Sequence, residues 1–282
     1  MTTGDESANL AQLNEDYDEL LAQMGDQIGP YPDAGIDGFL SHFIIALEIL
    51  QGPAAGQSVM FTMPPAVQTV SRSAPFRYRS GGDHSVQIPL PASCTLPSTI
   101  RESDFINRPE GFFQEGRETV WMQILNLDAR AEVDALGPVR IILGETLKRE
   151  YPDVFQPSLG VAQSLGPRRG GFPAKLFFNP YALIETPAGA FRAIHGTLAY
   201  GRITSFPPIG TPVSICDCIP LESVEEVRRT GSLRSADESI EPFARLVALS
   251  HPIDVAMQIS GEEAFLHVER RIELAGSSPR QG

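Results

Sequence analysis

Lys175 sits in a nearly uncharged run, Gly-Gly-Phe-Pro-Ala-Lys-Leu-Phe-Phe, in a chain that carries one other lysine, Lys148, against twenty arginines. An amine can lose its proton and attack a carbonyl, which a guanidinium cannot do. A chain that meets nearly every need for positive charge with arginine has therefore kept a potential nucleophile at this position. The competing reading is that a lysine-poor chain still carries a few lysines at random, one of which fell beside a strand. If Lys175 faces a cavity, burial disfavours its charged form, and Phe172, Leu176 and Phe177 supply the dry surroundings. His195, flanked by Ile194 and Gly196, is a second candidate, an acid or base near neutral pH. The alternative for it is a strand-end histidine bonded to a loop carbonyl.

Other chemistries lack their residues. Cys94, Cys216 and Cys218 are a poor disulfide framework, and Cys216-Asp217-Cys218 would need two further metal ligands that no nearby Cys/His pair supplies. The sequence calls for no metal and no organic cofactor. Gly166-Pro-Arg-Arg-Gly-Gly lacks the spacing of a phosphate loop, and no nucleophile elbow occurs.

The elements that must position these residues are short. With 42% hydrophobic residues the chain can bury a substantial core, and 25 glycines and 24 prolines spread along it favour strands and turns over long helices. From Ser58 to about Ile219, strand-like runs recur at Ser58 to Met63, Ser85 to Leu90, Thr119 to Leu127, Val139 to Gly144, Lys175 to Phe178, Ala190 to Ile194 and Val213 to Cys218. Helices are expected at residues 1–27, an acidic amphipathic arm, and at Asp37 to Gln51, where Phe39, Phe43, Ile44, Leu47 and Leu50 share a helical face. Leu221 to Leu249 reads as a more helical stretch, and Val255 to Leu274 as a last strand-like run. The fold class expected is α+β: one β-rich domain over residues 28–274, a large curved sheet or barrel, with the helical arm, flanking helices and a disordered tail at 275–282.

The net charge of −13 disfavours direct nucleic-acid binding. The sequence shows no sign of membrane insertion or export, and its cysteine usage suits a reducing cytoplasm. A homo-oligomer is expected.

Gly-Phe-Pro-Ala-Lys175-Leu followed about twenty residues later by His195-Gly-Thr-Leu-Ala-Tyr-Gly-Arg202 resembles the acetoacetate decarboxylase family, whose signature sets Pro-Lys-Lys-Leu shortly before a Gly-Thr-Leu-x-Tyr-Gly strand. Tyr78-Arg79-Ser80, with Arg79 96 residues before the lysine, is similar to the pair that opens the family's first core strand. The resemblance implies a Schiff-base decarboxylase or related lyase acting on a small keto acid, Arg79 holding the carboxylate and Glu118 or Glu145 moving protons. It also marks a departure. The family's nucleophile is the first of the two lysines, and that position is Ala174 here. Arg168 or Arg169 would have to replace the lost cationic neighbour, and Lys175 would face away from the pocket unless a bulge turns it. Two readings stay open beside the enzyme: a small-molecule-binding protein that lost its amine, and a self-assembling structural protein. The latter rests on 72 proline, alanine and serine residues, a bias resembling the proline-alanine-serine-rich proteins of fungal RNA viruses.

Overall fold

The computed structural model describes residues 29–81, 84–105, 108–166, 170–193, 198–208, 213–215, 219–230, 242–251 and 253–257. The acidic arm, the tail, Arg168, Arg169, His195, Cys216 and Cys218 lie outside them.

Among the described residues, fourteen strands join one antiparallel sheet, and the β-rich, curved architecture is the one expected. Strand β1 (Gly35–Ile49) pairs along its length with β2 (Ser58–Arg72), and β2 passes on to β6 (Glu118–Val133). On its other side β1 meets β15 (Ala244–His251) and β16 (Ile253–Met257). Strands β6 and β15 then fork. The second half of β6 pairs with β7 (Gly137–Leu143) and its first half with β8 (Leu159–Ser164). Likewise β15 pairs first with β14 (Ile219–Ser223) and then with β13 (Val213–Ile215). One limb between the forks runs β7, β10 (Leu183–Thr186), β11 (Gly189–Ala193), β14; the other runs β8, β9 (Ala174–Asn179), β12 (Ala199–Ile203), β13. Each limb closes a ring with β1, β2, β6 and β15, so the edges that an open sheet would expose are largely paired.

The forks explain the composition of β6. Its residues Val120 to Leu127 are all buried, because this strand lies between the lumen and an outer layer, and a strand covered on both faces reads as a continuous apolar run. Inward-facing Phe39, Phe43, Ile45, Met122, Ile124, Ile141, Leu176, Ile184, Phe191 and Leu246 belong to the principal core inside the ring. Outside, a second aromatic core forms where Ile88, Ile100, Phe105 and Phe112 pack over β6, β8 and β9, and helices α1 (Gly144–Glu150) and α2 (Val224–Thr230) cover a third.

The helix expected at Asp37 to Gln51 is strand β1. Phe39, Phe43 and Leu47 satisfy a period of four and a period of two equally; Ile45 and Ile49, both buried, settle the alternation, and the β-branched residues favour the pleat. Strand β2 runs nine residues past Met63 because a register shift opposite His42 takes up Pro64-Pro65, which would otherwise interrupt the ladder. Within Leu221 to Leu249, α2 is a helix as expected, whereas Ala244 onward is strand β15.

Candidate functional site

The turn before β9 is set by Gly170 and Gly171. A Cβ at Gly170 would fall 2.1 Å from Glu118 Oε2, and Gly171 adopts φ +84° while a Cβ there would fall 2.3 Å from the Gly29 carbonyl oxygen. This close approach lets the Phe172 N–H donate to Gly29 O at 3.0 Å and seats Phe172 against Tyr31 and Phe206, with ring centroids 5.0 and 5.2 Å away. Phe172 thus belongs to the inner core.

From Ala174 the strand alternates regularly. Ala174 and Leu176 join the inner core, while Phe177 joins the outer aromatic one. Lys175 shares the Phe177 face. It occupies a cross-strand row, Thr119, Gln163, Lys175, Arg202, beside the row Trp121, Val161, Phe177, Tyr200. No bulge interrupts β9 against β8 or β12, so the expected outward direction of Lys175 holds.

Facing outward has not left the amine in water. Lys175 is 3% exposed, its Nζ lies 4.5 Å from the centre of the Phe112 ring, and it has no hydrogen-bond partner. The neighbouring Gln163 is committed elsewhere: its Oε1 accepts from Gln114 N at 2.9 Å and its Nε2 donates to Thr119 Oγ1 at 3.0 Å. Burial, reinforced by the positive charge of Arg117, pulls the Lys175 pKa down to about 7. The cationic neighbour is therefore Arg117, a residue the sequence did not single out. Phe177, on the same face of β9, packs edge-on to Phe112 at 4.5 Å.

The other candidates stand apart. Arg79 is exposed on the loop after β3 (Phe76–Arg77), its backbone N–H donating to His84 Nε2. Glu145, in α1, is 8% exposed and accepts from Thr95 N at 3.0 Å and Thr95 Oγ1 at 2.7 Å, which makes it a clasp for the 94–96 loop. Glu118 lies against Gly170 and, together with burial, raises the Tyr31 phenol pKa. None of these side chains hydrogen-bonds the Lys175 amine.

Inside the ring lies a cavity of about 100 Å³, walled by both limbs: Ile141, Ile184 and Ala193 from one, Leu176, Phe178 and Ala199 from the other. Phe206 to Pro208 line it as well. Its lining includes two polar side chains among the described residues, Asp37 and Gln68. Asp37 is paired with Arg72, the β2 residue opposite Gly35. Gln68, opposite Phe39, is 4% exposed and its Oε1 has no partner. The chamber therefore offers apolar walls, one neutralised ion pair and one unmet hydrogen-bond acceptor. Sequence reasoning missed it because β1, which carries Asp37 and Phe39, reads as a helix; the alternation Phe39, Ser41, Phe43, Ile45 was the available signal.

No protein-family model and no curated protein matches the sequence. Among solved structures, DynF from the dynemicin biosynthesis pathway of Micromonospora chersina matches with a TM-score of 0.52 at 14% identity, over 83% of this chain and 88% of that one. At that identity the likeness is one of fold. No helix among the described residues is long and apolar enough to cross a membrane.

Proposed function

We propose that this protein binds a small, mostly apolar, uncharged molecule in the barrel lumen, with the ligand's one hydrogen-bond donor directed at Gln68 Oε1. The observation that carries this reading is an apolar chamber inside the ring, in whose lining one buried acceptor lacks a partner. An unpaired buried polar group costs about 1–3 kcal/mol, which a ligand hydroxyl or amine would recover. A chamber of about 100 Å³ is smaller than one of about 150 Å³ that accepts benzene, so it sets benzene's six non-hydrogen atoms as an approximate upper bound on the ligand. A keto acid suits it less well, because its carboxylate would lie against Asp37, whose counter-ion Arg72 is already engaged. Ala174 faces the core at the position where the resemblance places the covalent amine, so the reading is one of non-covalent binding.

Titration of the full chain with cyclopentanol, cyclopentane and acetoacetate, followed by methyl NMR, tests it. Saturable shifts of lumen methyls by cyclopentanol, with weaker effects from the other two, are expected. Stronger binding of acetoacetate would overturn the uncharged-ligand reading, and no lumen shift with any probe would overturn binding in the lumen.

A second reading rests on the unpartnered Lys175 amine. With its pKa near neutrality, opening of the Phe112 cover would present an uncharged nucleophile to carbonyl compounds, a latent Schiff-base chemistry outside the lumen.

A further inference from the structure

Away from both the lumen and Lys175, a groove of about 550 Å³ runs between the outer face of β6 and β8 and strand β5 (Thr99–Arg101), which pairs on its other side with β4 (Ser85–Gln87). We infer that this groove is a second binding site, for a small molecule that presents an amide edge, an N–H beside a carbonyl, to Gln123.

Gln123 lines the groove and is 1% exposed, and neither its Oε1 nor its Nε2 has a partner. Its neighbours on the sheet do not supply one. Across β2, Ser71 donates its hydroxyl to Pro89 O; across β8 stands Leu159. Along β6 the same-face neighbours are Leu125, which is apolar, and Trp121, whose indole N–H is itself without a partner and so does not bond Gln123. A primary amide with donor and acceptor both unmet is complementary to another amide edge, which makes two antiparallel hydrogen bonds at once. Single-function ligands such as esters or ketones would leave half of it unsatisfied.

The opposite wall repeats the pattern. Ile88 N–H donates to Ser98 O and Glu102 N–H to His84 O, so the even-numbered residues of β5 direct their backbone groups at β4. By the alternation of an antiparallel ladder, Thr99 directs its N–H and C=O away from β4, and Thr99 lines the groove. Ser103 and Gln156 add neutral polar side chains, Arg101 and Asp104 one charge of each sign, so that the lining carries no net charge, and Ile100, Leu159 and Tyr181 flank them. The volume lies in the range that small-molecule sites occupy.

The test uses the full ¹⁵N-labelled chain and two probes of one shape: 2-pyrrolidinone, which carries the amide edge, and γ-butyrolactone, which lacks the N–H. The side-chain NH₂ resonance of Gln123 is assigned by its loss in Gln123→Met. The lactam is expected to shift that resonance saturably, with an apparent affinity at least tenfold above the lactone's, and to do so equally in Ala199→Leu, whose substitution lies in the lumen. If Gln123→Met does not fold, backbone-directed assignment of the unmodified chain supplies the resonance and the two probes still decide. An unmoved Gln123 resonance, or equal response to lactone and lactam, overturns the proposal.

Discussion

Ala174 and Lys175, adjacent in sequence, lie on opposite sides of the barrel wall: Ala174 packs in the core inside the ring, and Lys175 lies beneath Phe112 outside it. A strand admits no other arrangement without a bulge, and β9 has none. The residue type that chemistry needs is present, one position away from the lumen, and its burial is instead the work of the outer aromatic layer.

That burial makes the folded protein's stability depend on pH in an unusual direction. The Lys175 pKa is about 7 when folded and about 10.4 when unfolded. Between these values the unfolded chain holds a proton that the folded one does not, so the contribution of this residue improves as pH rises; below pH 7 the cost is constant and fully present. Relative to Lys175→Met, the unmodified protein should gain roughly 1.4 kcal/mol per pH unit between pH 7.5 and 9.5, and the variant should be the more stable by roughly 3–5 kcal/mol at pH 7. Urea unfolding across this interval measures both; parallel curves for the two proteins would show that the amine is not buried uncharged.

The cover over Lys175 controls its reactivity. Borohydride reduction with acetoacetate is expected to leave the unmodified protein without an adduct, because Phe112 and Phe177 close the approach to Nζ. Phe112→Ala removes the ring 4.5 Å from the amine and should yield a single adduct that disappears in Phe112→Ala/Lys175→Arg, read by intact mass. Trapping in the unmodified protein at the rate seen in the variant would show that the outer layer opens by itself.

At the fork of β6, Arg140 holds one limb together. Its Nε and one terminal nitrogen grip Asp128 at 2.8 and 2.7 Å, and the other terminal nitrogen reaches Glu150 at 2.7 Å and Glu185 at 3.1 Å, tying β6, β7, α1 and β10. Burial pushes the Asp128 pKa up, but the Arg140 hydrogen bonds and charge outweigh it and hold the carboxyl below its usual range. Its stabilising contribution is therefore present above about pH 4 and lost as pH falls further. Arg140→Met should cost about 3–5 kcal/mol at pH 7, since Asp128 is left buried without its partner. The pH dependence from Asp128 should also reverse sign, the variant losing stability between pH 4.5 and 7; denaturant midpoints at these two values check it.

How far the sequence disclosed this architecture differs between its two halves. Strands β6, β7, β9 and β11 are legible because Pro and Gly bound short apolar runs, and the curved, β-rich class follows from them; β8 and β10, between them, were not singled out. The segment Asp37 to Gln51 misleads because the spacing of four between Phe39, Phe43 and Leu47 is a multiple of two and also close to 3.6, and with it went the lumen, whose polar corner is built from Asp37 and Gln68 on β1 and β2. Lys175 was found from its rarity, and its outward direction from strand alternation. Arg117 and Phe112 were not, since their approach to Lys175 depends on a loop that no local pattern specifies.

The lumen reading leads to a pair of substitutions with opposite signatures. Ala199 is 4% exposed and lines the chamber, so Ala199→Leu would occupy much of its free volume. Filling an existing cavity need not force its neighbours out of their rotamers, and the stability change should stay within about 1.5 kcal/mol while cyclopentanol binding is lost. Gln68→Leu instead keeps the chamber and removes its acceptor, which relieves an unmet buried group and should stabilise the empty protein by about 1 kcal/mol. Its effect on ligands should be selective: the preference for cyclopentanol over cyclopentane falls about tenfold while cyclopentane affinity is retained. Thermal unfolding and competitive NMR titration of both variants separate the terms. Volume and hydrogen bonding then act as independent determinants, and loss of both ligands in Gln68→Leu would show that Gln68 shapes the chamber rather than reading what enters it.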